Sequence, residues 1–502
     1  MAGSALPAQQ GDAARAGYRR LVLGLMLAAY TFNFIDRTIV GILGQPIKLD
    51  LKITDTQLGL LGGMAFALLY TVMGLPIARL AERFNRVNII AMAVVLWSGF
   101  TAACGFAGSF LSLLALRVGV GIGEAGCTPP AQSLISDYYP AKRRASALAI
   151  YAFGIPFGAM IGAVAGGWLA KTYGWRVAFI TVGAPGLILA ILIKLLVREP
   201  ARGAADGPSA VAAASPRRGG LGHELAELWA VTRELFGRWP ILHMVLGITL
   251  TSVGGYGIGQ FSAPYFTRAF GLDYATVGLI FGLIGGVSTG LGTLLGGFVS
   301  DWASRHGGRW YALTPAIGLA IATPLYLLGY TRGDWHVAAL ILALPGVFHY
   351  TYLGPTYGVV QNVMPPHRRA TATAVMFLFL NLIALGGGPL LTGLIIDHLA
   401  QVHFLAQTHF TSAGGGGLLA GLAQLFAAAP AHGASFAHLC PGGAAPAGAS
   451  AARAAACHGA LVTATRQGIL ITALFYAWGS LHYVLAAFGL QRRLAEAAAT
   501  PL

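Results

Sequence analysis

Twelve apolar stretches, each long enough to cross a lipid bilayer, constrain this chain more than any other feature. They read as runs at roughly 20–44, 56–78, 87–109, 112–135, 146–170, 175–197, 240–267, 275–300, 310–330, 336–360, 371–397 and 461–490. A membrane-spanning helix needs about 20 predominantly apolar residues, so the expected fold is an all-α membrane protein with twelve transmembrane helices. Charge agrees with this. Only 10% of residues are charged and the mean hydropathy is +0.68, whereas soluble chains carry about a quarter charged residues. A water-soluble enzyme, a disordered protein and a small disulfide scaffold are thereby excluded. The first run follows Arg15, Arg19 and Arg20. It is too long for a signal peptide and lacks the cleavage pattern, so it reads as a retained span.

The net charge of +15 has its explanation in topology. Placing the N-terminus inside puts about 22 Lys/Arg on the cytoplasmic side and about 8 outside. The inside clusters are Arg79/Arg83/Arg86, Lys142/Arg143/Arg144, Arg305/Arg309, Arg368/Arg369 and Arg492/Arg493. The opposite orientation inverts the bias, so both termini are expected in the cytoplasm, with the chain in a plasma membrane of bacterial inner-membrane type. Nucleic acid is not an expected partner, because the basic loops lack interleaved aromatics.

An internal repeat organises the spans. The segment from Ala78 to Arg86 follows the second span, and Gly297 to Arg305 follows the eighth, with Glu82 and Asp301 in register 219 positions apart. The same offset aligns Gly59-Leu60 with Gly278-Leu279. Pro140-Ala141-Lys142-Arg143-Arg144-Ala145-Ser146 recurs as Pro365-Pro366-His367-Arg368-Arg369-Ala370-Thr371, offset by 225. Three matches in order imply two pseudo-symmetric six-helix bundles, related as parallel repeats about an axis along the membrane normal. The expected division is 1–197, a cytoplasmic linker 198–239, and 240–502. The linker begins Pro/Ala/Gly/Ser-rich with Arg217 and Arg218, then places Leu221, Leu225, Leu228, Trp229 and Phe236 at helical spacing, as an interfacial helix would. Residues 399–460 read as an Ala/Gly-rich external loop holding Cys440 and Cys457. Those thiols are either free or bridged, and a loop on an oxidising side favours the disulfide.

Two six-span halves with an acid–Arg signature after spans two and eight resemble the major facilitator superfamily. The resemblance covers nearly the whole chain except 399–460. More narrowly, Asn33-Phe34-Ile35-Asp36-Arg37, Arg117 with Glu124, and Glu82-Arg83-Phe84-Asn85-Arg86 are similar to the spinster family. The usual superfamily pattern has Gly, Asp and Gly where this chain has Ala78, Glu82 and Asn85, and an Asn at the last place is similar to spinster proteins. The resemblance implies the major facilitator fold and a secondary transporter, with lysophospholipids, sphingosine phosphates or sugars among the family's substrates.

Away from the ends of the expected spans, the first half carries four charges: Asp36, Arg37, Arg117 and Glu124. Each is costly at the bilayer centre unless it faces a cavity and a partner. One reading is a static network locking helices one and four. The other is a coupled titrating set. Arg117 and Glu124 are two helical turns apart on one face, with Asp36 and Arg37 at depths between them. Expected pairings are Arg37 with Glu124 and Asp36 with Arg117. Asp36 and Glu124 are the candidate proton carriers, and Arg37 and Arg117, with Asn33, modulate their titration or bind an anionic headgroup, for which the Arg fork is suited.

The second half shows no equivalent charges. Its candidate substrate-facing residues are Tyr256, Gln260, His349 and Tyr357, each also open to reading as an ordinary interhelical contact. A polar half facing an apolar-aromatic half suits an amphiphile. For the inner gate, the candidates are Glu82, Arg83, Arg86 and Arg143 in the first half and Asp301 with Arg305 in the second. Gly154, Gly158, Gly162 and Gly166 in the fifth span read as a close-packing face. Thr54-Asp55-Thr56-Gln57 reads as a capping box and nothing more. His432, His438 and His458 fit no zinc spacing, and no phosphate-binding Gly-x-x-x-x-Gly-Lys-Ser/Thr run is present; neither metal nor cofactor is expected. The reading is a monomeric, proton-coupled secondary transporter of an amphiphilic, lysolipid- or sphingolipid-like small molecule. An organic-anion, sugar or drug carrier of the same fold is the alternative. A transporter-like receptor or an intramembrane lipid enzyme is disfavoured, since the spans contain no nucleophile–base pair.

Overall fold

The computed structural model describes residues 6–202, 204–205, 221–364, 368–408, 417–425 and 435–499, which are mainly helical and contain no strand. Among the described residues, twelve helices are long and apolar enough to cross a membrane. In chain order these spans are Ala16–Ile42, Asp55–Ala81, Arg86–Cys104, Phe110–Tyr138, Ser146–Tyr173, Trp175–Leu196, Trp239–Phe270, Tyr274–Ser304, Trp310–Tyr330, Trp335–Val363, Thr371–Ala406 and Ala451–Glu496. Local sequence sets their ends. Thr54 and Gln57 cap the second span reciprocally, Asn85 caps the third, and Asp273 and Asp334 accept backbone N–H groups at the starts of the eighth and tenth. Gly271, at φ 65°, turns the chain out of the seventh.

Spans one to six pack mainly on one another, as do seven to twelve. The two sets meet along the first span with the seventh, the second with the eleventh, and the fifth with the eighth. Small residues make that contact backbone to backbone. A Cβ at Gly278 would stand 2.3 Å from the Ala163 carbonyl oxygen, one at Gly59 2.2 Å from that of Pro389, and one at Gly393 2.3 Å from that of Asp55. The glycine repeat of the fifth span lies on the first: a Cβ at Gly158 would be 2.4 Å from Thr31 O, and one at Gly162 2.9 Å from Ile35 Cα.

These approaches lie in the halves of the spans nearer residues 43–54. Segments at the other, basic end, Thr128–Tyr138, Ala141–Ala152, Leu353–Val363 and Arg369–Phe379, pack mainly within their own set. The space between the sets therefore opens toward the basic end. There the helix Leu221–Phe236 lies against the start of the eleventh span, with Phe236 and Phe379 rings 4.8 Å apart and Glu234 accepting from Arg238 (2.6 Å) and Arg368 (3.0 Å). Trp229 on this helix is exposed, as an interfacial helix requires.

The span ends differ from the sequence expectation in ways that matter. The seventh span continues past 267 to include Arg268, and the eleventh continues past 397 to Ala406. The expected loop 399–460 is accordingly part helix, with short helices at Leu418–Leu425 and Phe436–Leu439 and the twelfth span starting at Ala451. Polar residues in the added helix find partners within the bundle: His403 Nε2 lies 2.6 Å from Gln467 Oε1, both buried.

Candidate functional site

The fourth span is interrupted where its acid sits. Its first helical segment ends at Glu124, and a second starts at Thr128, with Pro129 and Pro130 in the first turn. Proline there needs no backbone donor, so the break costs little, and it leaves Glu124 at a helix end in the middle of the bundle. The Glu124 carboxylate is fully buried and its Oε2 accepts from Arg37 Nε at 2.7 Å. The expected Arg37–Glu124 pairing is what the geometry shows. Arg37 keeps 18% side-chain exposure and is flanked by the rings of Phe34 (5.0 Å), Phe66 (4.8 Å) and Tyr70 (4.7 Å). These rings hold the guanidinium by cation–π attraction without neutralising it.

The second expected pair is not formed. Arg117 Nη1 reaches the Asp36 main-chain carbonyl oxygen at 3.5 Å rather than the carboxylate. Asp36 Oδ1, Glu124 Oε1, Arg117 Nε, Thr101 Oγ1 and both amide atoms of Asn33 are buried without a hydrogen-bond partner. Asp36 and Arg37 are adjacent on one helix and point about 100° apart, so Arg37 turns to Glu124 and Asp36 turns inward between spans one and four. Arg117 also lies 5.7 Å from the Phe66 ring, so both arginines approach the same aromatic side chain. Phe66, Tyr70 and Thr101 were not picked out from the sequence, because an aromatic or a threonine in an apolar run carries no signal of its own.

Across the opening stands the second half. Tyr256, on the seventh span, is 42% exposed. Tyr357 is partly buried, with its ring 5.7 Å from Phe377. His349 is buried, its Nδ1 3.2 Å from the Tyr326 hydroxyl and its ring centroid 4.8 Å from Tyr476 and 4.1 Å from Tyr350. It ends the first helical segment of the tenth span, as Glu124 does in the fourth. The repeat offset of 225 carries Glu124 onto His349, so the two halves break the same helix at the same place with different chemistry. Gln260 leaves the site: its side chain lies where a Cβ on Gly62 would be, 2.1 Å from its Oε1, so it fills the seam between the halves.

The basic-end signatures also depart from expectation. Arg86 is completely buried and pairs with Asp137 (Nη1–Oδ2 2.5 Å) and Ser133 (2.8 Å) in the first half and with Glu199 (Nε–Oε1 2.6 Å) where the chain leaves the sixth span. It braces the third, fourth and sixth spans rather than crossing between halves. Asp301 accepts from the Tyr311 hydroxyl at 3.1 Å and makes no ion pair with Arg305. Arg83, Arg143 and Arg305 are exposed. The side chains of Glu82, Lys142 and Arg369, and residues Arg217, Arg218 and His432, lie outside the described residues. At the opposite end, Cys440 and Cys457 are joined in a disulfide, while Cys104 and Cys127 are buried and free.

Comparison with known proteins agrees with this geometry. The Major Facilitator Superfamily model matches residues 26–389. An MFS-type efflux pump of Mycolicibacterium smegmatis is 33% identical over 391 residues, covering 77% of this chain and 87% of that one. Protein spinster homolog 1 of Homo sapiens is 27% identical over 405 residues, covering 77% and 74%. A bacterial homologue of the human lysosomal transporter spinster, solved inward-facing both unoccupied and occupied, superposes with a TM-score of 0.76 at 32% identity, over 97% of this chain and 99% of that one. With twelve spans, two packed sets and a central charge set, this chain belongs to the Major Facilitator Superfamily as a membrane transporter of spinster type and not an enzyme.

Proposed function

We propose that the chain is a proton-coupled secondary transporter of amphiphiles with an anionic headgroup, lysolipid- or sphingolipid-like, working by alternating access. The halves 1–197 and 240–502, joined by 198–239, rock as units. The basic end and both termini face the cytoplasm of a bacterial-type inner membrane, and the protein acts as a monomer. The observation that carries this reading is the Arg37–Glu124 pair at the edge of the opening, with the buried, unpaired Asp36 oxygen behind it.

In this reading Arg37 has two possible anions: Glu124 or a substrate headgroup. Protonating Glu124 frees the Arg37 fork for a phosphate or carboxylate, while Phe34, Phe66 and Tyr70 keep it aimed. Headgroup departure restores the pair and expels the proton. Asp36, beside Arg117 and Thr101, offers a second place for the proton on its way through the span. The opposing wall of Tyr256, Tyr350, Tyr357 and Phe377 has area for an acyl or sphingoid chain and no charge to repel it. The amphiphile reading is compatible with the efflux named for the mycobacterial relative. Proteoliposome uptake of lysolipids, sphingoid phosphates and sugar acids, with and without an imposed pH gradient, tests both parts. Gradient-driven uptake of lysolipids or sphingoid phosphates in preference to sugar acids is expected, and sugar-acid uptake alone would replace the substrate reading.

A further inference from the structure

At the basic end a groove lies outside the central site, between the linker helix Leu221–Phe236 and the start of the eleventh span. It encloses about 350 Å³ and is lined by Trp229, Thr232, Arg233, Phe236, Gly237 and Phe379. Trp229, Thr232, Arg233 and Phe236 stand at i, i+3, i+4 and i+7, so they share one face of the helix. The Phe236 ring meets that of Phe379 at 4.8 Å and closes the floor. Phe377, two residues earlier, packs on Tyr357 instead, so Phe379 points away from the wall that faces the opening. Trp229 is 69% exposed, and Trp239, where the seventh span begins, 55%. Exposed tryptophans at the ends of apolar spans sit at headgroup level. The groove therefore lies at the depth where phosphate gives way to acyl chain.

Its polar chemistry reduces to one cation. The Thr232 hydroxyl donates to Leu228 O at 2.7 Å, back into its own helix. Glu234 accepts from Arg238 at 2.6 Å and Arg368 at 3.0 Å, and it leaves the helix about 100° from Arg233. Arg233 is exposed and, among the described residues, makes no ion pair. The negative end of the linker helix, which disfavours an anion, is offset by the positive end of the seventh span at Trp239.

We infer that this groove is a binding site for an anionic phospholipid of the leaflet on the basic side. The Arg233 fork holds the phosphate, and one acyl chain lies on Trp229, Phe236 and Phe379. Arginine pairs bidentately with phosphate, and the aromatic floor beneath it offers apolar area with no partner for a sugar's hydroxyls. Only the choice of leaflet follows the orientation given above; the site itself does not depend on the substrate reading. Its position gives the lipid a mechanical role. Phe379 ends the segment Arg369–Phe379, and a wider π turn, Leu380–Gly386, follows it. That turn packs on the second span, where a Cβ at Gly63 would stand 2.7 Å from Gly386 O. A lipid tying the linker helix to Phe379 bears on one end of a segment whose other end touches the opposite half.

Tryptophan quenching in nanodiscs of the purified full chain, without substrate, tests this, so its failure is distinguishable from failure of the transport reading. The probe is phosphatidylglycerol brominated on one acyl chain, compared with phosphatidylcholine brominated likewise at the same mole fraction. The Trp229 signal is the difference between wild type and Trp229→Phe. Phosphatidylglycerol should occupy the groove about fivefold more strongly, the factor that ~1 kcal/mol per basic side chain near an anionic membrane surface produces. Arg233→Gln, at an exposed position, should abolish that preference, and Arg309→Gln, exposed at the same end, should leave it intact. Phosphatidylglycerol should also slow hydrogen exchange of residues 221–236 in wild type and not in Arg233→Gln. Equal quenching by the two lipids, a preference that survives Arg233→Gln, or an equal loss in Arg309→Gln overturns the site. Stronger quenching by a brominated single-chain lysolipid overturns the phospholipid assignment and makes the groove a substrate site.

Discussion

Replacing Glu124 by glutamine should uncouple transport from the pH gradient while leaving the fold standing. Removing one partner of a buried ion pair outright costs about 3–5 kcal/mol, because the other charge is left uncompensated. That is the expectation for Glu124→Ala. Glutamine differs: its amide oxygen still accepts from Arg37 Nε at the 2.7 Å position now taken by Oε2. The Phe34, Phe66 and Tyr70 rings, 4.7 to 5.0 Å from the guanidinium, still hold it. Arg37 loses its counter-charge in either variant, but glutamine keeps a neutral hydrogen bond worth about 0.5–1.5 kcal/mol that alanine does not. Glu124→Gln should therefore unfold thermally between wild type and Glu124→Ala. In proteoliposomes its ratio of uptake with and without a pH gradient should fall to about one, because a permanently protonated mimic has no proton to release. Asp36→Asn/Glu124→Gln should be no worse than the worse single variant, since groups acting as one unit are non-additive. Gradient-stimulated uptake by Glu124→Gln at the wild-type ratio refutes the assignment. So does Glu124→Gln melting with Glu124→Ala while coupling survives, which is what a purely structural network predicts.

Arg86→Ala should be among the most destabilising substitutions at the basic end, by about 3–5 kcal/mol, because Asp137 and Glu199 lose a fully buried partner; thermal unfolding in detergent measures it, and Arg83→Ala, at an exposed position, is the control. Gly59→Ala should wedge the second span from the eleventh, its Cβ meeting Pro389 O at 2.2 Å, and chemical cross-linking between the two spans should fall. Alkylation of unreduced, denatured protein should label Cys104 and Cys127 but not Cys440 or Cys457, and four labelled thiols would contradict the bridge.

The sequence carried the spans, the repeat and the Arg37–Glu124 pair because each leaves a linear trace: an apolar run, an offset, two opposite charges at compatible depths. Other parts left none. Asp36 and Arg117 were legible as charges, but which oxygen the arginine reaches depends on helix rotation, which no spacing encodes. Arg86 was legible as one of a basic cluster; its acids, Asp137 and Glu199, are 51 and 113 residues away and meet it only after three spans have packed. Asp55 was read as part of a helix cap, which Thr54 and Gln57 do form. Its carboxylate does other work, because the seventh span extends one turn farther than hydropathy alone indicated and brings Arg268 to it. The expected Asp301–Arg305 contact failed for a local reason, since Tyr311 at the start of the ninth span is nearer to hand.

The central charge set is electrically balanced, two acids against two arginines, and all four lie in the first half. With both acids ionised, and on the proton-coupled cycle proposed above, these groups contribute no net charge when the empty carrier reorients, so the membrane voltage has no hold on that step through them. One added proton makes the set +1. Moving one elementary charge through the full field is worth about 2.3 kcal/mol per 100 mV, so voltage acts on the proton-loaded form alone. An anionic cargo carried with that proton cancels it again, and the step becomes electrically silent.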